Sequence, residues 1–352
     1  MLIHLECQLP HLQLCDPSLR DEVLRALLRA HRLGDHVVVI SREICKFLLG
    51  SADLSNAERA MLERIALEYT QKAELPRRAS TYIHVSPTRS APNERNGIAI
   101  GFKELLDSRI LDRSVLLVEN IRRDGLLYGE LLNSHFDLHH CPPPAYEPMH
   151  GGGADLTTVF VEQIKRGRIV CGIVDTDRNS PISQAFTKRD AMRRIADEMN
   201  WPLAFAISPP CREAENCLPM GLIMDIQSGR SNGSNPHFLQ ISDKEIENKH
   251  DCCATFWLFV DLKEGISVET LAKVVNVEER AWLDAKLELI GLDISKYPLQ
   301  GYGMKIFDQM ATHGQHVADL RTLTRQNDWR TIFADFLNYL VWIFAGGRRI
   351  AT

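Results

Sequence analysis

The chain has 352 residues, of which 45% are hydrophobic and 25% charged, with a formal net charge of −5. That length holds two or three domains with a sizeable core, and the acidic balance excludes a surface coated in basic residues while leaving room for local phosphate contacts. Nine scattered cysteines with no C-x-x-C pair exclude a disulfide framework and an ordinary zinc site.

In chain order, Met1–Cys7 reads as a strand and Pro17–Leu33 as a helix capped by Asp16. His36–Ile40 is a second strand and Arg42–Leu49 a helix. Asn56–Lys72 is a further helix, opened by the capping-box pair Ser55 and Glu58. Thr81–Val85 is another strand, and the polar, proline-bearing stretch Ser86–Asn96 is a loop ahead of Ile98–Leu106. Alternating strands and helices over residues 1–110 predict a separate N-terminal α/β domain, Rossmann-like or PIN-like. Its Asp16, Asp35 and Glu43 read as caps and solvated faces rather than a second acidic site.

Ser114–Asn120 (SVLLVEN) is an apolar strand ending in Glu119. Asp124 follows, then the helix Gly125–Phe136 with Leu127 and Leu131 on one face. Tyr146–Gly153 is a short strand with a glycine turn, and Asp155 is the expected N-cap of a helix over Leu156–Arg166. Ile169–Val174 lacks polar alternation, so it reads as a parallel strand buried on both faces, and it runs into Asp175 and Asp177. Alternate residues of an extended chain share a side, so both carboxylates are expected to face one point. Right-handed crossovers bring the strand ends to one sheet edge, where Glu119 joins them. Anions held that close require a proton or a divalent cation between them, and carboxylate oxygens suit Mg²⁺ or Mn²⁺. An ordinary polar turn is the competing reading of a lone D-x-D.

Pro181–Asn200 then reads as a helix and Leu203–Ser208 as the last sheet strand, which closes a core at residues 111–226. Gln227–Pro236 is a Ser-, Asn- and Gly-rich exit loop. Residues 237–352 are expected to be mainly helical, with helices over Val268–Val275, Glu278–Ile290, Met304–Thr312 and Asp328–Phe344. The apolar run Phe333–Ala345 contains Asp335 and Asn338 and is too short to span a bilayer, so it is either buried within the chain or a homodimer contact. No membrane association is expected. With no visible signal peptide and reduced thiols, the expected location is cytoplasmic. Arg122 and Arg123, in the loop after Glu119, are candidate nucleic-acid contacts; the remaining basic pairs read as solvated helix faces.

The run VLLVE…D ending at Glu119 and Asp124, the glycines Gly151–Gly153 and the IVDTD of Ile173–Asp177 together resemble the Toprim domain. The closer resemblance is to Toprim nucleases of the OLD type and their stand-alone relatives in bacterial phage defence. It covers Ser114–Pro219, where REAENCLP is similar to the acidic R-x-x-E-N segment of those nucleases and places Glu215 at its acidic position. Lys263, in FWLFVDLKEG, resembles the lysine of their D-x-K-E-G segment. The chain departs from the pattern at Asn120, where the family has glycine, and at Asp124, which follows Glu119 by five residues rather than four.

The resemblance implies an α/β fold with a central Toprim-like parallel sheet, and a metal-dependent nuclease acting on DNA or RNA in anti-phage defence. Glu119, Asp175, Asp177 and Lys263 would be catalytic, and Glu119, Asp124, Asp175, Asp177 and Glu215 would hold Mg²⁺ or Mn²⁺. It also implies a companion ATPase as regulator, since the chain has no G-x-x-x-x-G-K-[ST] motif of its own. Two other readings stay open. One is a haloacid-dehalogenase-like phosphatase, with Asp175 as nucleophile and Asp177 as general acid. The other is a non-catalytic Toprim-derived sensor or scaffold.

Overall fold

A computed structural model describes residues 1–92, 94–139, 141–184, 188–228, 236–303, 307, 308, 310 and 314–350. Two four-stranded sheets, each wholly parallel, organise the chain as far as Ile207. The first joins β1 (Leu2–Leu5), β2 (Val37–Ile40), β3 (Tyr82–Ser86) and β4 (Gly97–Gly101) in the order β2-β1-β3-β4. The second joins β5 (Ser114–Val118), β6 (Tyr146–His150), β7 (Val170–Ile173) and β8 (Ala204–Ile207) in the order β6-β5-β7-β8. The two orders are the same permutation. In each sheet the chain leaves the first strand towards one flank and returns to build the other. The direction of winding therefore reverses between β1 and β3, and again between β5 and β7, which is where parallel sheets open a crevice at their C-terminal edge.

These strands form because short Val-, Ile- and Leu-rich runs bury both faces; every residue of β2, β5 and β7 is buried. Parallel neighbours need long crossovers. The crossovers are built from α1 (Pro17–Leu33), α2 (Arg42–Ser51), α3 (Asn56–Lys72), α4 (Phe102–Asp107), α5 (Asp124–His139), α6 (Leu156–Lys165) and α7 (Lys188–Glu198). Asp16 caps α1 by accepting from the Leu19 amide at 2.8 Å, and Ser55 and Glu58 form the reciprocal box that opens α3.

Two expected helix starts differ. Asp155 stands ahead of α6 but already has helical backbone angles at the end of a 3-10 turn, Gly153–Asp155, and its side chain caps nothing. The helix expected over Pro181–Asn200 is Lys188–Glu198, because Ser183 donates its amide to Ser180 and closes a turn around Pro181. Residues 185–187 lie outside the described part.

Beyond Ile207 the chain is mostly helical, with α8 (Met220–Ser228), α9 (Pro236–Glu247), α10 (Val268–Ala272), α11 (Val277–Glu288), α12 (Gly314–Leu323) and α13 (Asn327–Ile343). A two-stranded antiparallel ladder, β9 (Gly265–Ile266) with β10 (Leu299–Gln300), was not expected from the sequence. Most of the expected helix Met304–Thr312 and most of the loop Gln227–Pro236 fall outside the described residues.

The apolar face of helix α13 is buried within the chain. Phe333, Leu337, Leu340, Val341 and Trp342 are covered, Phe336 meets Tyr128 of α5 edge-on at 6.0 Å, and Tyr339 meets Phe205 of β8 at 6.1 Å. After it the chain crosses to the N-terminal unit, where the Gly347 amide donates to the Gly34 carbonyl at 2.9 Å. Gly34 has a left-handed φ of +78°, and a Cβ there would stand 2.3 Å from the Gly347 oxygen, so only glycine fits. One apolar cluster accordingly runs from Met1 to Ala345 through all three sequence units. All nine cysteines are free, and among the described residues no helix is long and apolar enough to cross a membrane.

Candidate active site at the second sheet's winding reversal

β5 and β7 are hydrogen-bonded neighbours, with Leu116 opposite Cys171 and Leu117 opposite Gly172. Glu119 follows β5 directly and Asp175 stands two residues beyond the end of β7, so the parallel pairing brings both residues to the C-terminal edge. Asp124 reaches the same edge through a tight turn. Its Oδ2 accepts the Asn120 amide at 2.9 Å, the Asn120 carbonyl accepts the Gly125 amide at 3.2 Å, and the Asn120 side chain accepts the Arg122 amide at 3.0 Å. Asparagine builds this turn by bonding its own backbone neighbours, which absorbs the extra residue between Glu119 and Asp124.

The segment Arg212–Asn216 closes over this edge from above. The amides of Thr176 and Asp177 both donate to the Arg212 carbonyl, at 2.9 and 3.2 Å. On the far side, Asn216 Nδ2 donates to the carbonyls of Trp257 and Val260, at 2.6 and 3.0 Å. Clamped between strand and loop, Glu213 and Glu215 are buried, and the Ala214 amide between them donates to Asp175 Oδ1 at 3.1 Å. The loop bearing Lys263 is shaped by Asp261, whose Oδ1 accepts the amides of Lys263 and Glu264 at 2.9 and 2.8 Å. It is closed by Gly265 at φ +80°, where a Cβ would lie 1.9 Å from the Leu299 oxygen. Lys263 Nζ then stands 2.6 Å from Glu213 Oε2 and 3.4 Å from Glu215 Oε1.

The electrostatics follow from this crowding. Burial pushes the Asp175 carboxyl well above the usual carboxylate range, reinforced by Asp124, Glu213, Glu215 and Glu119. Asp124 is also raised, first by burial and then by Glu119, against the stabilising Asn120 amide. Burial raises Glu215, and Lys263 opposes it. Lys263 itself loses from burial but is held above the ordinary lysine value by Glu215, Glu213 and Asp175. The Tyr128 side chain of α5 is fully buried beside Cys217, Asp175 and Asp124, and its hydroxyl has no hydrogen-bond partner among the described residues. Glu119 is more open and pairs with Lys188, which also donates to the Gly153 carbonyl at 3.0 Å.

The structure therefore brings Glu119, Asp124, Asp175, Glu215 and Lys263 to one edge. It does not bring Asp177 there. The strand ends at Ile173, and two consecutive amides point at one carbonyl, so the extended alternation is lost; Asp177 has a left-handed φ of +52° and is exposed. It lines a separate hollow of about 230 Å³ with Arg212, Asp261 and Glu264. Arg122 is exposed beside the edge, while Arg123 pairs with Asp308 at 3.3 Å. Sequence reasoning missed Glu213, Lys188 and Tyr128. Glu213 had a signal, since it sits two residues before Glu215 in the same segment; Lys188 and Tyr128 had none.

As a donor set, these carboxylates are all hard oxygens, and the group most favoured to be protonated lies in their midst, next to an unsatisfied hydroxyl. That combination fits a hard divalent cation. The carboxylates are not drawn together as a closed cage: among the described residues, only Asp251, Cys252 and Cys253 bring three ligand-type atoms within 4.8 Å of one another. Those three are consecutive residues of a 3-10 turn in which Asp251 caps the Cys253 amide at 2.9 Å. Compared with known proteins, the chain matches no family model, no curated protein and no solved structure.

Proposed function

We propose that the protein is a divalent-metal-dependent nuclease that hydrolyses phosphodiester bonds of DNA or RNA. The observation that carries this reading is the meeting of Glu119, Asp124, Asp175, Glu213 and Glu215 with Lys263 at one winding reversal. Those carboxylates would hold Mg²⁺ or Mn²⁺, which supplies Lewis acidity towards a phosphoryl oxygen and a bound water of lowered pKa. Lys263 keeps an ammonium at Nζ on the wall of the site, placed to offset negative charge that develops on a phosphoryl oxygen. Lys188 holds the Glu119 carboxylate towards Gly153 and neutralises it while no cation is bound. Arg122, exposed next to Glu119, is a contact for the backbone of the nucleic acid.

The resemblance to OLD-type and stand-alone Toprim nucleases extends the proposal to an effector of anti-phage defence restrained by a companion ATPase. A haloacid-dehalogenase-like phosphatase is the less favoured reading, because Asp177, its general acid, has a left-handed backbone and lines a separate hollow. The test is a panel of plasmid, single-stranded DNA and cellular RNA incubated with the purified protein in Mg²⁺, Mn²⁺ or EDTA, alongside a small phosphomonoester. Metal-dependent scission that disappears in Glu119→Ala and Asp175→Ala supports the reading. Release of phosphate from the monoester with no phosphodiester cut overturns it.

A further inference from the structure

The first sheet has the same winding reversal as the second, between β1 and β3, and its C-terminal edge also carries a cavity. A groove of about 700 Å³ opens where the loops leaving β3 and β4 face the loops that enter β7 and β8. The size is that of a small-molecule site. It lies at the N-terminal edge of the second sheet, so it is separate from the carboxylate cluster at that sheet's other edge.

The walls are cationic on a chain of net charge −5. Arg89 and Lys103 come from the first sheet's loops, and Lys165 and Arg166 from the end of α6. Against these four stand two carboxylates, Glu104 and Asp107. Only Arg89 is paired, with Glu104 at 3.5 Å; Lys103, Lys165 and Arg166 have no carboxylate partner among the described residues. The dipole of α6 accounts for cations at its C-terminus, but Lys103 sits in the first turn of α4, where a helix dipole gives a cation no support. The frame is set on both sides. Ser86 Oγ accepts the Ser90 amide and hydroxyl, each at 2.9 Å, which fixes the loop carrying Arg89. The Gly167 carbonyl accepts the Arg109 amide at 3.0 Å, which fixes the turn after Arg166. Trp201 supplies an aromatic wall, with its indole N–H already donated to the Arg168 carbonyl at 2.9 Å.

We propose that this groove binds a nucleoside polyphosphate, with its phosphates on Lys103, Lys165 and Arg166 and its base against Trp201. Unpaired cations around a concave site select clustered negative charge, and an aromatic wall whose polar atom is already bonded selects a flat ring. Because the two walls belong to different sheets, the ligand bridges the N-terminal unit and the core. The inference does not depend on the cleavage reading.

The test is isothermal titration of the full chain with ATP, ADP, pyrophosphate, inorganic phosphate and a short single-stranded oligonucleotide, in EDTA and low salt. The same series is run on Lys165→Gln/Arg166→Gln, two exposed positions whose neutralisation should lower the unliganded melting temperature only slightly, through the α6 dipole. The expected result is saturable binding of ATP and ADP, tighter than pyrophosphate, and weakened at least tenfold in the double variant. Three results overturn the proposal: no saturable nucleotide binding, nucleotide binding indifferent to the double variant, or pyrophosphate or inorganic phosphate binding as well as ATP. Oligonucleotide binding that is lost in the variant while ATP does not bind also overturns it, and makes the groove a nucleic-acid contact. All readouts are metal-free binding, so failure of the cleavage reading leaves them untouched.

Discussion

Lys263 Nζ lies 2.6 Å from Glu213 Oε2, although fifty residues of chain separate the two. The pair is mostly buried, so removing the ammonium leaves carboxylates facing each other without a counter-charge. Lys263→Met is expected to lower cleavage by about 10²–10³-fold, the usual cost of losing one charge-stabilising donor. Circular dichroism should show a folded protein, and single-turnover kinetics at saturating Mn²⁺ should show the deficit in the chemical step. A variant that cuts at the wild-type rate removes Lys263 from the mechanism.

Asp175 makes the metal-free protein pH-sensitive. Its folded-state pKa lies above the unfolded value, so the folded state favours the protonated acid. Its contribution to stability is therefore greatest below the unfolded pKa, near 4, and is lost as pH rises through the folded value. Asp175→Asn is expected to melt higher than wild type at pH 7.5 in EDTA, with the gap narrowing towards acid, and to show no cleavage. Equal melting temperatures across the range would mean that the carboxylate is not crowded.

Tyr128 offers a separate handle on the same site. Its hydroxyl is buried and has no partner among the described residues, and an unsatisfied buried hydroxyl costs on the order of 1 kcal/mol or more. Tyr128→Phe is expected to stabilise the metal-free protein by about that amount in urea titrations. If the hydroxyl supports a cation through its water, the same variant should bind Mn²⁺ about tenfold more weakly. A destabilised Tyr128→Phe would show that the hydroxyl is bonded after all.

Trp342 distinguishes a core helix from an interface helix. It is 1% exposed, and its neighbours Leu340, Val341 and Ile343 are equally covered. Trp342→Ala is expected to cost about 3–5 kcal/mol, as for other large core truncations. Sedimentation should show no wild-type dimer that the substitution dissolves. Loss of a dimer with retained stability would move α13 to an interface.

Much of the fold was legible because its causes are local. Valine- and isoleucine-rich runs made the strands, Asp16 and the Ser55–Glu58 pair marked helix starts, and the alternation of elements implied parallel sheets. Glu119 and Asp175 could be named for the same reason: each ends an apolar strand, and a parallel sheet gathers such ends at one edge. The sequence by itself thus determined most of the element types, the parallel sense of the sheets, and Glu119 and Asp175 just beyond β5 and β7.

Tertiary structure decided the rest. Asp177 left the site because Arg212, thirty-five residues away, takes its amide and that of Thr176 on one carbonyl and ends the extended chain. Glu213 and Glu215 reached Asp175 through Asn216, whose amide bonds carbonyls forty-one and forty-four residues on, and the same clamp delivered Lys263. The contacts between the three sequence units are of the same kind, since Gly347 docks on Gly34 and one apolar cluster includes residues of all of them. Hydrogen bonds across such separations depend on where whole loops pack, and nothing in a local run of residues records their partners.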